Sequence, residues 1–184
     1  MKSILIYSSK YGATRQYADW IGKALEIPIV DAEDAITHEI IQNDTFIIGS
    51  SVYIGRLRIR KWLKKNLDLL KNKRIILFLV CGTPVEEKEK WSEYIRQSVP
   101  EALMPKCSVH VLPGRMWFER VNAWDRFLLR LNASATSNKE TKRMMLKGYD
   151  QVERKNIMPV LEDFHRLIIA PEESAMRNYQ QSNG

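Results

Sequence analysis

Residues 8–14, SSKYGAT, set hydroxyls, a lysine and a glycine between the apolar run ILIY and the helically spaced RQYADWIGKAL. A strand that hands over to a helix aims backbone N–H groups outward at the helix's positive end, which stabilises a phosphate. Ser9 and Thr14 can add hydroxyl donors, Lys10 a charge, and Gly12 the freedom to approach closely or take positive φ. The loop has neither the GxxxxGK[ST] of a triphosphate cradle nor the GxGxxG of a dinucleotide site, so a single phosphate fits it better. Taken alone, an ordinary turn with Thr14 as helix cap explains the loop equally well.

Two other segments tip that balance, because GSSVYIG at 49–55 and CGTP at 81–84 also follow apolar runs and are small, hydroxylated or glycine-containing. In an open parallel sheet, ligands bind beyond the carboxyl ends of the strands, where the strand order reverses. The three exits then supply the cofactor residues: Ser9, Lys10, Tyr11, Gly12, Ala13 and Thr14 for phosphate, and Ser51, Val52, Tyr53, Ile54, Gly55, Cys81, Gly82 and Thr83 for a flat ring. Tyr53 or Trp117 is expected to cover a ring face, since an aromatic cofactor needs apolar faces for stacking and close backbone donors.

The elements that must position these loops follow from the hydrophobic pattern. Short runs at 3–7, 27–30, 45–49, 74–80 and 108–112 read as strands, apolar on both faces, which is the mark of a parallel sheet covered by helices on each side. Helical spacing covers 14–25, 57–70, 86–98 and about 160–168, with Pro159 suited to a first turn. The segment from about 113 to 147 breaks the rhythm: an amphipathic piece at 123–131 is followed by the polar run NASATSNKET, expected to be mobile. The reading is an α/β domain over 1–168 with a late inserted excursion, then a flexible tail over 169–184.

The phosphate loop resembles the [ST]-x-x-G-x-T pattern of the flavodoxin family through Ser9, Gly12 and Thr14, although Tyr11 stands where that family carries a second small hydroxyl residue. The resemblance implies a doubly wound five-stranded parallel sheet of order 2-1-3-4-5 and FMN as cofactor. A nearer resemblance is to the menaquinone-dependent protoporphyrinogen oxidases, carried by Lys10, by GRMWFERVNAWDRF with Trp124, Asp125, Arg126 and Phe127, and by TSNKET; Tyr53 and Ile54 depart from that family's second loop. It implies electron transfer from a protoporphyrinogen-like substrate to a quinone; no nucleophile-base triad is readable, which agrees with flavin-borne chemistry, and the catalytic residues stay unassigned.

Charge gives a separate argument. The 184 residues carry 29 Lys and Arg against 22 Asp and Glu, a net charge of +7, and the excess is concentrated at 56–74 and 106–147. A flavodoxin shuttle serving basic redox proteins is expected to be acidic. A positive rim of Arg56, Arg58, Arg60, Arg115, Arg120 and Arg126 instead suits an anionic substrate, an acidic protein or the anionic face of a membrane, with a merely solvated helix face the other reading of the 56–74 run. The apolar face of Trp124, Phe127, Leu128 and Leu131 suits a membrane interface or, equally, packing on the domain or a second subunit in a homodimer.

Nucleic acid is not expected, since no RNP, zinc-finger or KH pattern accompanies the charge. His38, His110 and His165 lack metal-ligand spacing, and Cys81 and Cys107 read as reduced thiols. No apolar run reaches the roughly 18–20 residues of a membrane span, so the expected location is the cytoplasm, with peripheral contact at the membrane's inner face. The alternatives are a flavodoxin-type electron carrier, which exchanges electrons with proteins and turns over no small molecule, and a colourless interaction module.

Overall fold

The computed structural model describes residues 2–83, 86–135 and 139–168, without the side chains of Arg120, Asn132, Ala135, Glu140 and Thr141. The tail expected over 169–184 and the tip of the polar run at 136–138 lie outside the described residues. Five parallel strands form the main sheet: β1 (Ser3–Ser8), β2 (Ile29–Asp31), β3 (Thr45–Tyr53), β5 (Arg74–Cys81) and β6 (Cys107–Pro113). Their order is β2-β1-β3-β5-β6, the doubly wound flavodoxin arrangement, with Leu5 opposite Ile47, Ile47 opposite Ile76 and Ile76 opposite Ser108. The short β4 (Arg56–Leu57) turns back antiparallel onto β3.

Alternation along each strand sorts the core into two layers. Ile4, Ile6, Ile48, Leu77 and Leu79 face one side, under α2 (Thr37–Gln42), α3 (Arg60–Lys65), α4 (Leu67–Leu70) and α5 (Lys88–Ser98), which contribute Ile40, Leu63, Leu70 and Ile95. Leu5, Tyr7, Ile47, Ile76 and Phe78 face the other, under α1 (Ala13–Leu25) and a helix over 158–168 that contribute Tyr17, Ile21, Val160 and Phe164. Burying each such side chain contributes roughly 1.5–3 kcal/mol, so burial on both faces explains the unbroken apolar runs.

Two helical expectations are corrected. The single helix expected over 57–70 begins as β4 and breaks at Asn66, whose side-chain amide donates to the Trp62 carbonyl at 3.0 Å and stops α3. The run expected to be mobile is helical on both sides of its tip: α6 spans Ala123–Ala135 and α7 spans Lys139–Lys147. The reason is packing, because the two helices lie against each other with Ala133 buried.

The excursion is a stem with a helical head. Its stem pairs β7 (Arg115–Met116) antiparallel with β8 (Tyr149–Asp150), so it closes a little beyond the expected limit at 147. Its root is fixed by Tyr17, whose hydroxyl donates to the Pro113 carbonyl at 2.9 Å and accepts from the Asn156 amide at 2.8 Å. The Gly114 N–H also donates to the Cys81 carbonyl at 2.8 Å.

Candidate cofactor site

At the carboxyl end of the sheet, the exits of β1, β3 and β5 meet the root and head of the excursion around a cavity of about 460 Å³, within the ~300–1,000 Å³ usual for small-molecule sites. Ser9, Lys10, Tyr11, Ala13 and Thr14 line it from the first exit, Ser51, Val52, Tyr53 and Ile54 from the second, and Cys81 and Gly82 from the third. Gly114, Arg115, Met116, Val121, Asp125, Leu128, Leu129 and Tyr149 complete the wall from the excursion.

The first loop is built for the N-terminus of α1. Gly12 caps that helix at φ 87°, a left-handed conformation that a side chain disfavours, and its N–H donates to Ser9 Oγ at 3.1 Å. Thr14 is fully buried, yet its hydroxyl has no partner, and neither has the Ser51 hydroxyl or Arg115 Nε. Three orphaned buried polar atoms on one cavity are costly unless a ligand satisfies them, because an unpaired buried group loses about 1–3 kcal/mol.

The second loop is a two-residue hairpin between β3 and β4, with Ile54 at φ 48° and Gly55 at φ 68°. That turn needs positive φ at both positions, so a β-branched residue is held there under strain. At the third loop, Gly82 makes room for Tyr149: a Cβ at 82 would lie 2.1 Å from the Tyr149 hydroxyl oxygen. Burial pushes the Tyr149 phenol up to about 12 and raises the Cys81 thiol, so both stay protonated.

Asp125, on the first turn of α6, is the polar centre of the site and is 5% exposed. Its carboxylate accepts from Lys10 Nζ at 2.6 Å, from the Tyr53 hydroxyl at 2.6 Å and from the Tyr11 hydroxyl. Burial alone would raise the carboxyl, but these three donors outweigh it and hold the group below its ordinary value. The Lys10 ammonium also lies 3.1 Å from the centre of the Tyr53 ring.

The expected residues do not all meet here. Gly12, Gly55 and Thr83 stand on the three loops without lining the cavity, and Thr83 Oγ1 lies 3.3 Å from the Tyr94 hydroxyl. Trp117 belongs to a neighbouring depression with Phe118, Glu119, Leu146 and Lys147, its ring 4.7 Å from the Arg115 guanidinium. Arg115, expected on the rim, lines the cavity and bonds Gln16. Arg58 reaches the Ser8 hydroxyl at 3.5 Å, Arg56 is exposed, Arg60 and Arg126 are half-buried, and the Arg120 side chain lies outside the description.

Sequence reasoning missed Tyr149, Met116, Val121 and Leu129, quoted Asp125 only for the family resemblance, and placed Leu128 on the outer face of α6 although it lines the cavity. Asp125, Leu128 and Leu129 share a helical face by spacing, a signal that was available; nothing in the local sequence marks Tyr149. Among the described residues no cluster of His, Cys, Asp and Glu could hold a metal ion, and no helix is long and apolar enough to cross a membrane.

A doubly wound sheet with its loops gathered at the strand-order switch defines a nucleotide-cofactor protein of the flavodoxin type. The pattern of the flavodoxin domain matches residues 4–143, and the chain belongs to that family. It is 22% identical over 164 residues to the protoporphyrinogen IX dehydrogenase [quinone] of Escherichia coli K12, across 83% of this chain and 91% of the relative. Similar solved structures include a flavoprotein in complex with FMN from Lactobacillus acidophilus NCFM, at 16% identity over 61% of this chain and 92% of that one, TM-score 0.42. Another is the Trp repressor binding protein from Bacillus subtilis, at 16% identity over 61% and 85%, TM-score 0.47.

FMN is the cofactor this cavity fits. The unpartnered Thr14 hydroxyl at the start of α1 suits its phosphate, and the apolar wall of Val80, Met116, Val121, Leu128 and Leu129 suits a flat ring.

Proposed function

We propose that the protein is an FMN-dependent oxidoreductase that takes electrons from a reduced small molecule of the protoporphyrinogen kind and passes them to a quinone-type acceptor. The observation that carries this reading is the inner face of α6: Asp125, Leu128 and Leu129, with Val121 just before the helix, wall the cofactor cavity, giving the chain a place for a small molecule beside the ring. The named relation to a quinone-linked protoporphyrinogen dehydrogenase supports the substrate pair. When bound, FMN supplies the electron-accepting chemistry.

The chain's residues bind and orient. In this reading Ser9, Thr14 and the amides at the start of α1 take the phosphate, while Ser51 to Ile54 and Cys81 to Gly82 border the ring. Tyr149 closes the third loop and shields it from water. Arg115, whose terminal nitrogens bond Gln16 and pair with Asp150, has its buried unpartnered Nε left as one donor for a substrate carboxylate, and Arg56, Arg58 and Arg60 lie on the second exit's rim.

The outer face of α6 carries Trp124, Phe127 and Leu131, 61%, 56% and 56% exposed, with the two rings stacked at 5.7 Å. Arg126 and Arg130 lie on the same helix. We assign this apolar and basic face to peripheral contact with an anionic membrane, the place where a lipid-soluble quinone is found. A second copy would bring two basic faces together.

Anaerobic mixing tests the reading. Protoporphyrinogen should bleach the flavin absorbance of the purified protein, and menaquinone should restore it. A yellow protein that ignores both compounds but exchanges electrons with a flavodoxin reductase is a carrier, and a colourless protein without FMN affinity overturns the proposal. Thr14→Val should weaken FMN binding roughly ten- to hundredfold in fluorescence titration, the worth of a hydrogen bond to a charged group.

A further inference from the structure

Asp125 is the only acidic residue lining the cavity among the described residues. Its three donors come from two different loops: Lys10 and Tyr11 from the first, Tyr53 from the second. The Lys10 side chain is 15% exposed and the Asp125 side chain 7%, so the pair is screened little by solvent. The Lys10 charge is therefore directed at the excursion, and the donors left within residues 9–14 are neutral, namely the Thr14 hydroxyl and the amides that open α1.

A phosphate monoester carries about 1.5 to 2 negative charges at pH 7. If FMN occupies the cavity as proposed above, its phosphate and Asp125 are two anions that compete for the Lys10 ammonium. Like charges in a shielded site repel strongly, and the carboxylate has already drawn Lys10 to itself.

We propose that Asp125 is a positioning residue that sets the site's selectivity for the charge of the phosphorylated flavin: by holding Lys10, Tyr11 and Tyr53 it keeps the phosphate cradle neutral and the grip on FMN moderate. The excursion thereby tunes a cofactor that the sheet loops hold. Removing the carboxylate's charge frees Lys10 for the phosphate and tightens FMN. Removing Lys10 alone leaves two unneutralised anions and loosens it. Riboflavin, which lacks the phosphate, does not feel this exchange of charge.

Fluorescence titration of FMN and of riboflavin into full-length protein freed of flavin tests this. Asp125→Asn should bind FMN on the order of tenfold more tightly, the scale of one unit charge about 12 Å away at an effective dielectric near 20. Lys10→Met should bind it at least about tenfold more weakly, and the double variant should return to within about threefold of the unaltered protein, since both charges are gone. Riboflavin affinity should shift by a much smaller factor than FMN affinity and without the opposite signs of the two single variants, because a structural role alone would move both ligands together. Unchanged or weaker FMN binding by Asp125→Asn, or riboflavin shifting in step with FMN, overturns the inference and leaves the cofactor reading standing. Failure of the unaltered protein to bind FMN overturns the cofactor reading itself and the inference with it.

Discussion

The sheet and the excursion are held by different forces. In the sheet, Leu5, Ile47, Ile76 and Phe78 are fully buried in stacked apolar layers, and no single polar contact decides the geometry. The excursion hangs on polar joints: Tyr17 at its root, Arg115 to Gln16 and Asp150 along its stem, and Asp125 to Lys10, Tyr11 and Tyr53 at its head. The sheet places the site, and the excursion gives it a wall. A protein divided in this way can lose the wall's grip without losing the fold.

The largest effect should come from attacking the sheet. Phe78 is fully buried and lies over Gly49, so Phe78→Ala should cost about 3–5 kcal/mol in denaturant unfolding and lower FMN binding only through loss of folded protein. Tyr17→Phe probes the joint between the two regions. It removes the hydroxyl shared by Pro113 and Asn156 and should cost about 1–2 kcal/mol, with earlier proteolysis in the excursion than in the sheet. Equal protection of both regions in that variant would break the comparison.

Acid offers a gentler perturbation. The Asp125 carboxyl lies below its ordinary value in the folded chain, so its contribution to stability is complete above the usual carboxylate range near pH 4 and is lost as pH falls through the lowered folded value. Thermal melts from pH 6 to 3 should therefore fall less steeply for Asp125→Asn than for the unaltered protein. Asp163, lowered despite burial by hydrogen bonds that include one to His110, follows the same sign in both proteins and cancels in the difference. The smallest effect on stability, within about 0.5 kcal/mol, is expected for Trp124→Ser with Phe127→Ser, whose side chains are exposed. That variant should nevertheless lose sedimentation with vesicles rich in anionic lipid, and retained sedimentation would remove α6 as the contact.

What could be read from the sequence follows the same division. Burial on both faces writes itself as unbroken apolar runs, so the strands and their helices were legible, and the three loops at their ends came with them. The polar joints leave no periodic trace. Tyr149 reaches Gly82 only because the stem brings β8 back across the third loop, and Asp125 meets Lys10 across a separation of 115 residues. Asn66 broke a helix through one side-chain amide, and Ala133 hid a buried contact inside a run that looked wholly polar.

The two-sidedness of α6 has a mechanical consequence. A helix with its side chains is only about 10–12 Å across, and this one carries the exposed rings on one flank and the cavity's carboxylate on the other. A body that seats on Trp124 and Phe127 leans directly on the wall behind them, so the message crosses one rigid rod with no relay of intervening side chains. Thermodynamic reciprocity then requires that any change such a body makes in the hold on the nucleotide equal, as a factor, the change the nucleotide makes in the settling.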